Sequence, residues 1–245
     1  MEDRVDASTV KALRAVTDRL ESDLRTLVFA PPTAFVYDPF DYARPAWDAY
    51  CARYAHAGVD AILLGMNPGP FGMAQTGVPF GSVPFVRDWL AIDAPIGRPA
   101  REHPKRPVLG LACPRTEVSG LRLWGFARDV FGTPEAFFQR FFVANYCPLL
   151  FLEESGRNRT PDALPAAERE ALQAACDRAL QGIVSVLRPR MVIGVGAFAE
   201  ARAREALAGT GVAFARIAHP SPANPAANRG WTALAQKSLQ DLGLL

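Results

Sequence analysis

The sequence predicts an α/β fold: one three-layer α/β/α domain spanning residues 1–245, built on a mainly parallel central sheet. Three observations carry this. Four short apolar runs, at 61–65, 141–145, 191–195 and 212–218, read as buried strands. Segments of helical periodicity alternate with them, as parallel pairing requires. No repeat or linker breaks the chain, and 245 residues with 49% apolar content suffice for one full core.

In chain order, residues 7–27 place Val10, Leu13, Val16, Leu20 and Leu24 on one face, which predicts an N-terminal helix within residues 1–30. Residues 34–37 read as a short strand and 46–57 as a second helix. Residues 91–117 are proline-rich, basic and aperiodic, and predict a long surface excursion. Helices are expected at 121–131 and 134–140. Residues 165–187 form a long amphipathic helix with Leu172, Cys176, Leu180 and Ile183 on one stripe. Helices at 197–208 and 228–242 complete the set.

The formal charge of +2 gives no argument from net charge for a nucleic-acid partner. Cys51, Cys113, Cys147 and Cys176 are scattered, with no C-x-x-C pair. They read as small buried apolar residues in a reducing compartment, and neither a metal nor any other cofactor is expected. The start, MEDRVDASTV, has no basic and apolar signal pattern. No apolar run approaches the ~20 residues of a membrane helix. A soluble monomer without a membrane partner is expected, cytoplasmic in a bacterium or nuclear in a eukaryote.

Gly194-Val-Gly-Ala-Phe-Ala199 follows a strand and opens a helix, as a dinucleotide fingerprint does. That motif needs an acidic residue about 20 positions on to hold a ribose. None occurs between Glu205 and Asp241, so a tight strand-to-helix turn is expected instead.

Two loops concentrate the chemistry. Gly65-Met-Asn-Pro-Gly-Pro-Phe-Gly72 and His219-Pro-Ser-Pro-Ala-Asn-Pro225 each follow a predicted strand and are too rich in Pro, Gly and Asn to extend it. In open α/β sheets the ligand crevice forms at such carboxyl ends. Asn67, Asn145 and His219 all fall there. Each alone reads as a turn former or a satisfied polar residue; together they outline a site. A nucleophile elbow, a metal cluster and a carboxylate pair are all lacking, and Glu153 and Glu154 have no partner for two-carboxylate glycoside chemistry.

Amides and an imidazole suit recognition of a planar heterocycle that leaves as an anion. Asn145 would accept from N3–H of a pyrimidine and donate to its O4. Cytosine reverses that order and would leave buried polar groups unpaired. His219 would donate to O2 as charge develops there. Asn67 would place the attacking water, and Phe80 could stack on the base.

The stretches Gly65–Gly81 and His219–Trp231 resemble the two signature motifs of the single-strand-selective monofunctional uracil-DNA glycosylases. Cys113-Pro-Arg-Thr-Glu-Val-Ser-Gly120, Asn145-Tyr-Cys-Pro-Leu-Leu-Phe151 and Ser155-Gly-Arg-Asn158 are similar too, so the resemblance runs from about Ala34 to the C-terminus. It implies a uracil-DNA glycosylase-like fold and a DNA substrate, single- or double-stranded. It implies that Asn67 positions water, His219 contacts the leaving base, Asn145 reads its edge and Phe80 stacks on it. Residues matching Met66, Gly69 and Met73 shape the pocket near C5, where a glycine leaves room for the hydroxymethyl group of 5-hydroxymethyluracil. The loop after the second motif and its following helix wedge into DNA, which implicates Ser221, Pro222, Ala223, Asn224 and Arg229. Arg115 in the excursion is a further DNA-binding candidate. The related thermostable branch carries an iron–sulfur cluster, which the scattered cysteines here argue against.

One departure stands out. The vertebrate pattern has Arg where this chain has Ala223, and a methyl group cannot fill a vacated base stack. Weaker extrusion from duplex DNA is expected. Lys11, Lys105 and Lys237 are the only lysines and none lies in a motif loop, so an abasic product without strand cleavage is expected. The competing readings are a non-catalytic sensor of uracil or damaged bases and a free-nucleoside hydrolase. The latter calls for a carboxylate-rich ribose site, and the two signature loops hold no Asp or Glu.

Overall fold

The structure, a computed structural model, describes residues 7–245. The first six residues of the expected N-terminal helical segment lie outside the described residues. Four strands form a parallel sheet: β2 (Ala61–Gly65), β3 (Phe141–Asn145), β6 (Met191–Val195) and β7 (Ala213–Ile217), in the order β3-β2-β6-β7. Residues of β2 are buried on both faces, as apolar runs without alternation demand, so helices cover both sides. The helix Ala197–Ala206 packs on β6 and β7, and the helix Ala166–Leu187 packs on it and carries the helix Ala7–Leu24. A second group joins the helices Val118–Phe131 and Trp231–Asp241, the latter against β7.

Edge strand β3 is closed by a side chain. The Tyr50 hydroxyl, on the helix Arg44–Tyr54, donates to the Val143 carbonyl at 2.9 Å and accepts from its amide at 3.3 Å. That occupies backbone groups otherwise open to a further strand.

The register sets the site. Gly65 pairs with Asn145, Leu64 with Gly194, and Val195 with Ile217. The carboxyl ends of all four strands are therefore level, and their exit loops share one rim. The glycines at 194 and 196 serve the tight turn expected of them. A Cβ on Gly194 would overlap the backbone of Glu200, so its absence lets the following helix sit on the strand; Gly196 has φ +99°.

Two expectations need correction, and the short strand expected at 34–37 is present. The strand expected at 34–37, β1 (Phe35–Tyr37), belongs to a separate antiparallel sheet with β4 (Leu150–Leu152) and β5 (Asn158–Arg159), in the order β1-β4-β5. Strands of two or three residues are too short to show a period. The expected C-terminal helix 228–242 is a turn at Pro225–Asn228 followed by a helix from Trp231, because Gly230 with φ +132° interrupts it.

The excursion 91–117 is also no mere surface loop. Ile92, His103, Val108 and Cys113 are buried. Gln75, itself buried, ties the excursion to the first motif loop by donating to the carbonyls of Pro70 (2.9 Å) and Pro107 (3.0 Å) and accepting from the Leu109 amide (2.8 Å). All four cysteines are free and buried, as expected.

Candidate active site

A cavity of about 310 Å³ opens at the level strand ends. Of the residues singled out from the sequence, Met66, Asn67, Gly69, Phe80, Asn145, His219 and Ser221 line it. Met73 does not. It is buried behind Asn145, whose Nδ2 donates to its Sδ at 3.3 Å, so it backs that amide rather than forming the wall.

Each polar group is held in a defined orientation. Asn67 Nδ2 donates to the Leu149 carbonyl at 3.1 Å, which leaves Oδ1 as its accepting end. The Ser221 amide donates to His219 Nδ1 at 3.0 Å, so the neutral ring carries its proton on Nε2. Burial holds the imidazole below its ordinary pKa of 6.5. This is a neutral donor, fit to stabilise a developing anion without first giving up its proton.

Three successive carbonyls fix the backbone that carries His219. Trp231 Nε1 donates to Ala218 O at 2.6 Å, Asn224 Nδ2 to His219 O at 2.9 Å, and Arg122 Nη1 to Pro220 O at 2.7 Å. Arg122 also donates to Asn228 Oδ1 at 2.9 Å. Arg122 was not legible as a site residue, because it reads as one more helical arginine. Asn224 further caps the short 225–228 turn by accepting from the Ala226 amide at 3.1 Å. Its amide is thus spent on shaping the loop, while Pro222, Ala223 and Arg229 are exposed.

Phe80 sits at φ 54°, the left-handed region, which a bulky residue enters only when its surroundings impose it, at a cost of about 1–3 kcal/mol. Its carbonyl abuts Gly120, where any Cβ would overlap it, and its ring edge abuts Gly65. Its ring centre lies 6.3 Å from that of His219, at 43°. The Arg115 guanidinium lies 3.9 Å over the ring of Phe71, so the excursion delivers it to the first motif loop.

Five further cavity residues, Pro68, Glu117, Ser119, Asn158 and Thr160, were not singled out from the sequence. Asn158 ends a motif already noted, but β5, which presents it, had no period to find. Glu117 stood in the Cys113–Gly120 motif as its single carboxylate. The carboxyl is wedged against Gly69 and Gly72, and Oε2 is enclosed without a hydrogen-bond partner. Burial pushes its pKa from 4.5 to about 7. Between those values the folded chain keeps a proton that the unfolded chain releases. This contribution to stability is complete below about 4.5 and is lost as pH rises through about 7. Glu117→Gln is accordingly expected to raise Tm above pH 7, with the gain over the parent vanishing toward pH 4.5 in a series of melting curves. Among the described residues no three His, Cys, Asp or Glu converge as a metal site.

A cavity at the carboxyl ends of a parallel sheet, edged by two amides, a neutral imidazole and an aromatic ring, defines an α/β protein with a polar crevice at its strand ends. The sequence model of the Uracil DNA glycosylase superfamily matches residues 52–243. The chain is 54% identical over 229 residues to the single-strand selective monofunctional uracil DNA glycosylase of Mus musculus, covering 93% of this chain and 82% of that protein. The Bos taurus counterpart is 53% identical over 229 residues, covering 93% and 84%. A crystal structure of wild-type Pedobacter heparinus SMUG2 shares the fold, with TM-score 0.65 and 17% identity over 93% of this chain and 98% of the other. The chain belongs to the family of single-strand selective monofunctional uracil-DNA glycosylases. With that membership comes an enzyme class: hydrolase of an N-glycosyl bond.

Proposed function

We propose that this protein extrudes uracil and C5-oxidised uracils such as 5-hydroxymethyluracil from DNA and hydrolyses the N-glycosidic bond, leaving an abasic site on an unbroken strand. The observation that carries this reading is the convergence of Asn67, Asn145, Phe80 and a neutral, donor-oriented His219 on one cavity. Asn145 supplies Oδ1 to N3–H and Nδ2 to O4. His219 donates Nε2–H to O2, where charge collects as the C1′–N1 bond breaks and the base takes the electron pair. Asn67 Oδ1 accepts a hydrogen bond from a water whose oxygen bonds C1′, and the proton that this water loses neutralises the departing base anion or passes to solvent. Preorganised dipoles of this kind stabilise a loose, oxocarbenium-like transition state without a covalent intermediate.

A lyase would need an amine at the sugar. No lysine lines the cavity, and Lys237 is paired with Asp241 at 2.7 Å. Incubation with an oligonucleotide bearing one uracil is expected to give strand breaks only after alkali. Borohydride is expected to trap no enzyme–DNA adduct; a trapped adduct would overturn the monofunctional reading.

Extrusion costs a few kcal/mol in duplex and least in single strands. Ala223 is exposed beside the cavity loop and offers only a methyl group to the vacated stack. We infer a preference shifted toward single strands and mismatched uracil. Ala223→Arg is expected to raise excision from paired DNA relative to single-stranded DNA, on the order of tenfold. Unchanged duplex activity in that variant removes the inference.

A further inference from the structure

We propose that Arg122 is a positioning residue for His219: acting through one peptide unit, Pro220–Ser221, its guanidinium sets the tautomer of the ring and strengthens its Nε2–H donor. The inference rests on the uracil-excising reading of the site and adds to it a residue outside the two signature loops.

Two hydrogen bonds meet across a single peptide. Arg122, on the helix Val118–Phe131, donates from Nη1 to the Pro220 carbonyl at 2.7 Å. The Ser221 amide, the other end of that peptide group, donates to His219 Nδ1 at 3.0 Å. This peptide is trans and planar, with its C=O and N–H pointing opposite ways, so holding the oxygen aims the hydrogen. The guanidinium is itself anchored. Its Nη2 donates to Asn228 Oδ1 at 2.9 Å, and Asn228 Nδ2 donates to the Pro222 carbonyl at 2.8 Å. Arg122 thereby grips the second motif loop at both ends. Neither neighbouring carbonyl can substitute. Ala218 O and His219 O accept from the neutral donors Trp231 Nε1 and Asn224 Nδ2, and the peptide after His219 ends in a proline, which has no N–H.

The chemistry follows from the charge. Among the described residues no carboxylate pairs with Arg122, and both of its acceptors are neutral oxygens. A charged donor on a carbonyl polarises the peptide, and hydrogen bonds in series strengthen one another. The Ser221 N–H becomes a better donor to Nδ1, so Nδ1 stays an acceptor and the ring proton stays on Nε2. Electron density drawn from Nδ1 makes Nε2–H the stronger donor in turn. A base that leaves with negative charge on O2 needs such a donor, already aimed.

The test reads His219 directly. Two-bond proton–nitrogen correlation spectra above neutral pH report the ring tautomer in the parent, Arg122→Met and Arg122→Lys. The chain has three histidines, and the spectrum of His219→Ala assigns the one in question. The parent is expected to show a protonated Nε2 and an accepting Nδ1. Arg122→Met keeps the stem and removes the donor. It is expected to mix the tautomers and to slow single-turnover release of uracil from single-stranded DNA about tenfold or more, with binding to that DNA within a few-fold. Arg122→Lys keeps a charged donor and is expected to recover the parental tautomer and most of the rate. In a His219→Ala background, Arg122→Met is expected to cost no more than about twofold, because the group it acts through is gone. A parental tautomer or a parental rate in Arg122→Met would overturn the proposal, and so would a tenfold loss that persists without His219. Mixed tautomers in folded Arg122→Lys would overturn it too, even if Arg122→Met does not fold. Absence of uracil release by the parent would instead overturn the reading on which it rests, while the spectra would still decide the role of Arg122.

Discussion

Replacing His219 by Ala is expected to lower the single-turnover rate of uracil excision by about 10²–10³-fold, the usual cost of one preorganised donor to a developing oxyanion. The ring is well placed for that role. Nδ1 is satisfied by the Ser221 amide, so the remaining proton points from Nε2. Three donors hold carbonyls 218 to 220 and so fix the backbone that carries the ring. Because burial holds the pKa below 6.5, the imidazole is neutral at neutral pH. The rate of the parent is therefore expected to show no His219-dependent limb above pH 6.5, and any such limb to lie below it. Substrate binding should change far less than the rate, since O2 carries extra charge only in the transition state. A limb above that value that disappears in His219→Ala would contradict the neutral-donor assignment.

Gly65→Ala is the second large effect, and it arises without touching a reacting group. The glycine pairs with Asn145 across β2 and β3, and its missing side chain is the space in which Asn145 Oδ1 and the edge of the Phe80 ring meet. An added methyl would lie 2.6 Å from Phe80 Cε2 and overlap the Asn145 amide. Phe80 is already held at positive φ by Gly120 behind it, so the ring has little freedom to retreat. If Asn145 reads the base as proposed, misplacing its amide by about 1 Å is expected to cost on the order of 10² in excision rate. Overpacking adds about 1–3 kcal/mol of lost stability. Single-turnover rates and thermal melting of the purified variant check both; near-parent activity would mean that Asn145 does not read the base from this position.

The parallel sheet was legible because its strands are unbroken apolar runs that end in unmistakable breakers, and residues such as Asn67 and His219 are legible for the same reason. Register then does what no local pattern can: it sets Asn145 beside Gly65. The second sheet was hidden, since β4 and β5 are too short to carry a period and find partners only across distant segments. Glu117 was hidden for a different reason. A lone acid in a basic, proline-rich excursion reads as solvated, and only the fold against Gly69 and Gly72 buries it. Arg122 and Asn224 illustrate the converse. Their side chains act on loop carbonyls through tertiary contacts, which residue type alone does not show.

In the proposed function one cavity both holds the base and breaks its glycosidic bond. The most direct measurement is release of free uracil from a single-stranded oligonucleotide by the parent, Asn67→Ala and His219→Ala, with binding to the same DNA measured in parallel. Release by the parent, with both variants binding comparably and releasing uracil at least a hundredfold more slowly, is the predicted result. Binding without release by the parent, or release at the parental rate in either variant, would contradict it.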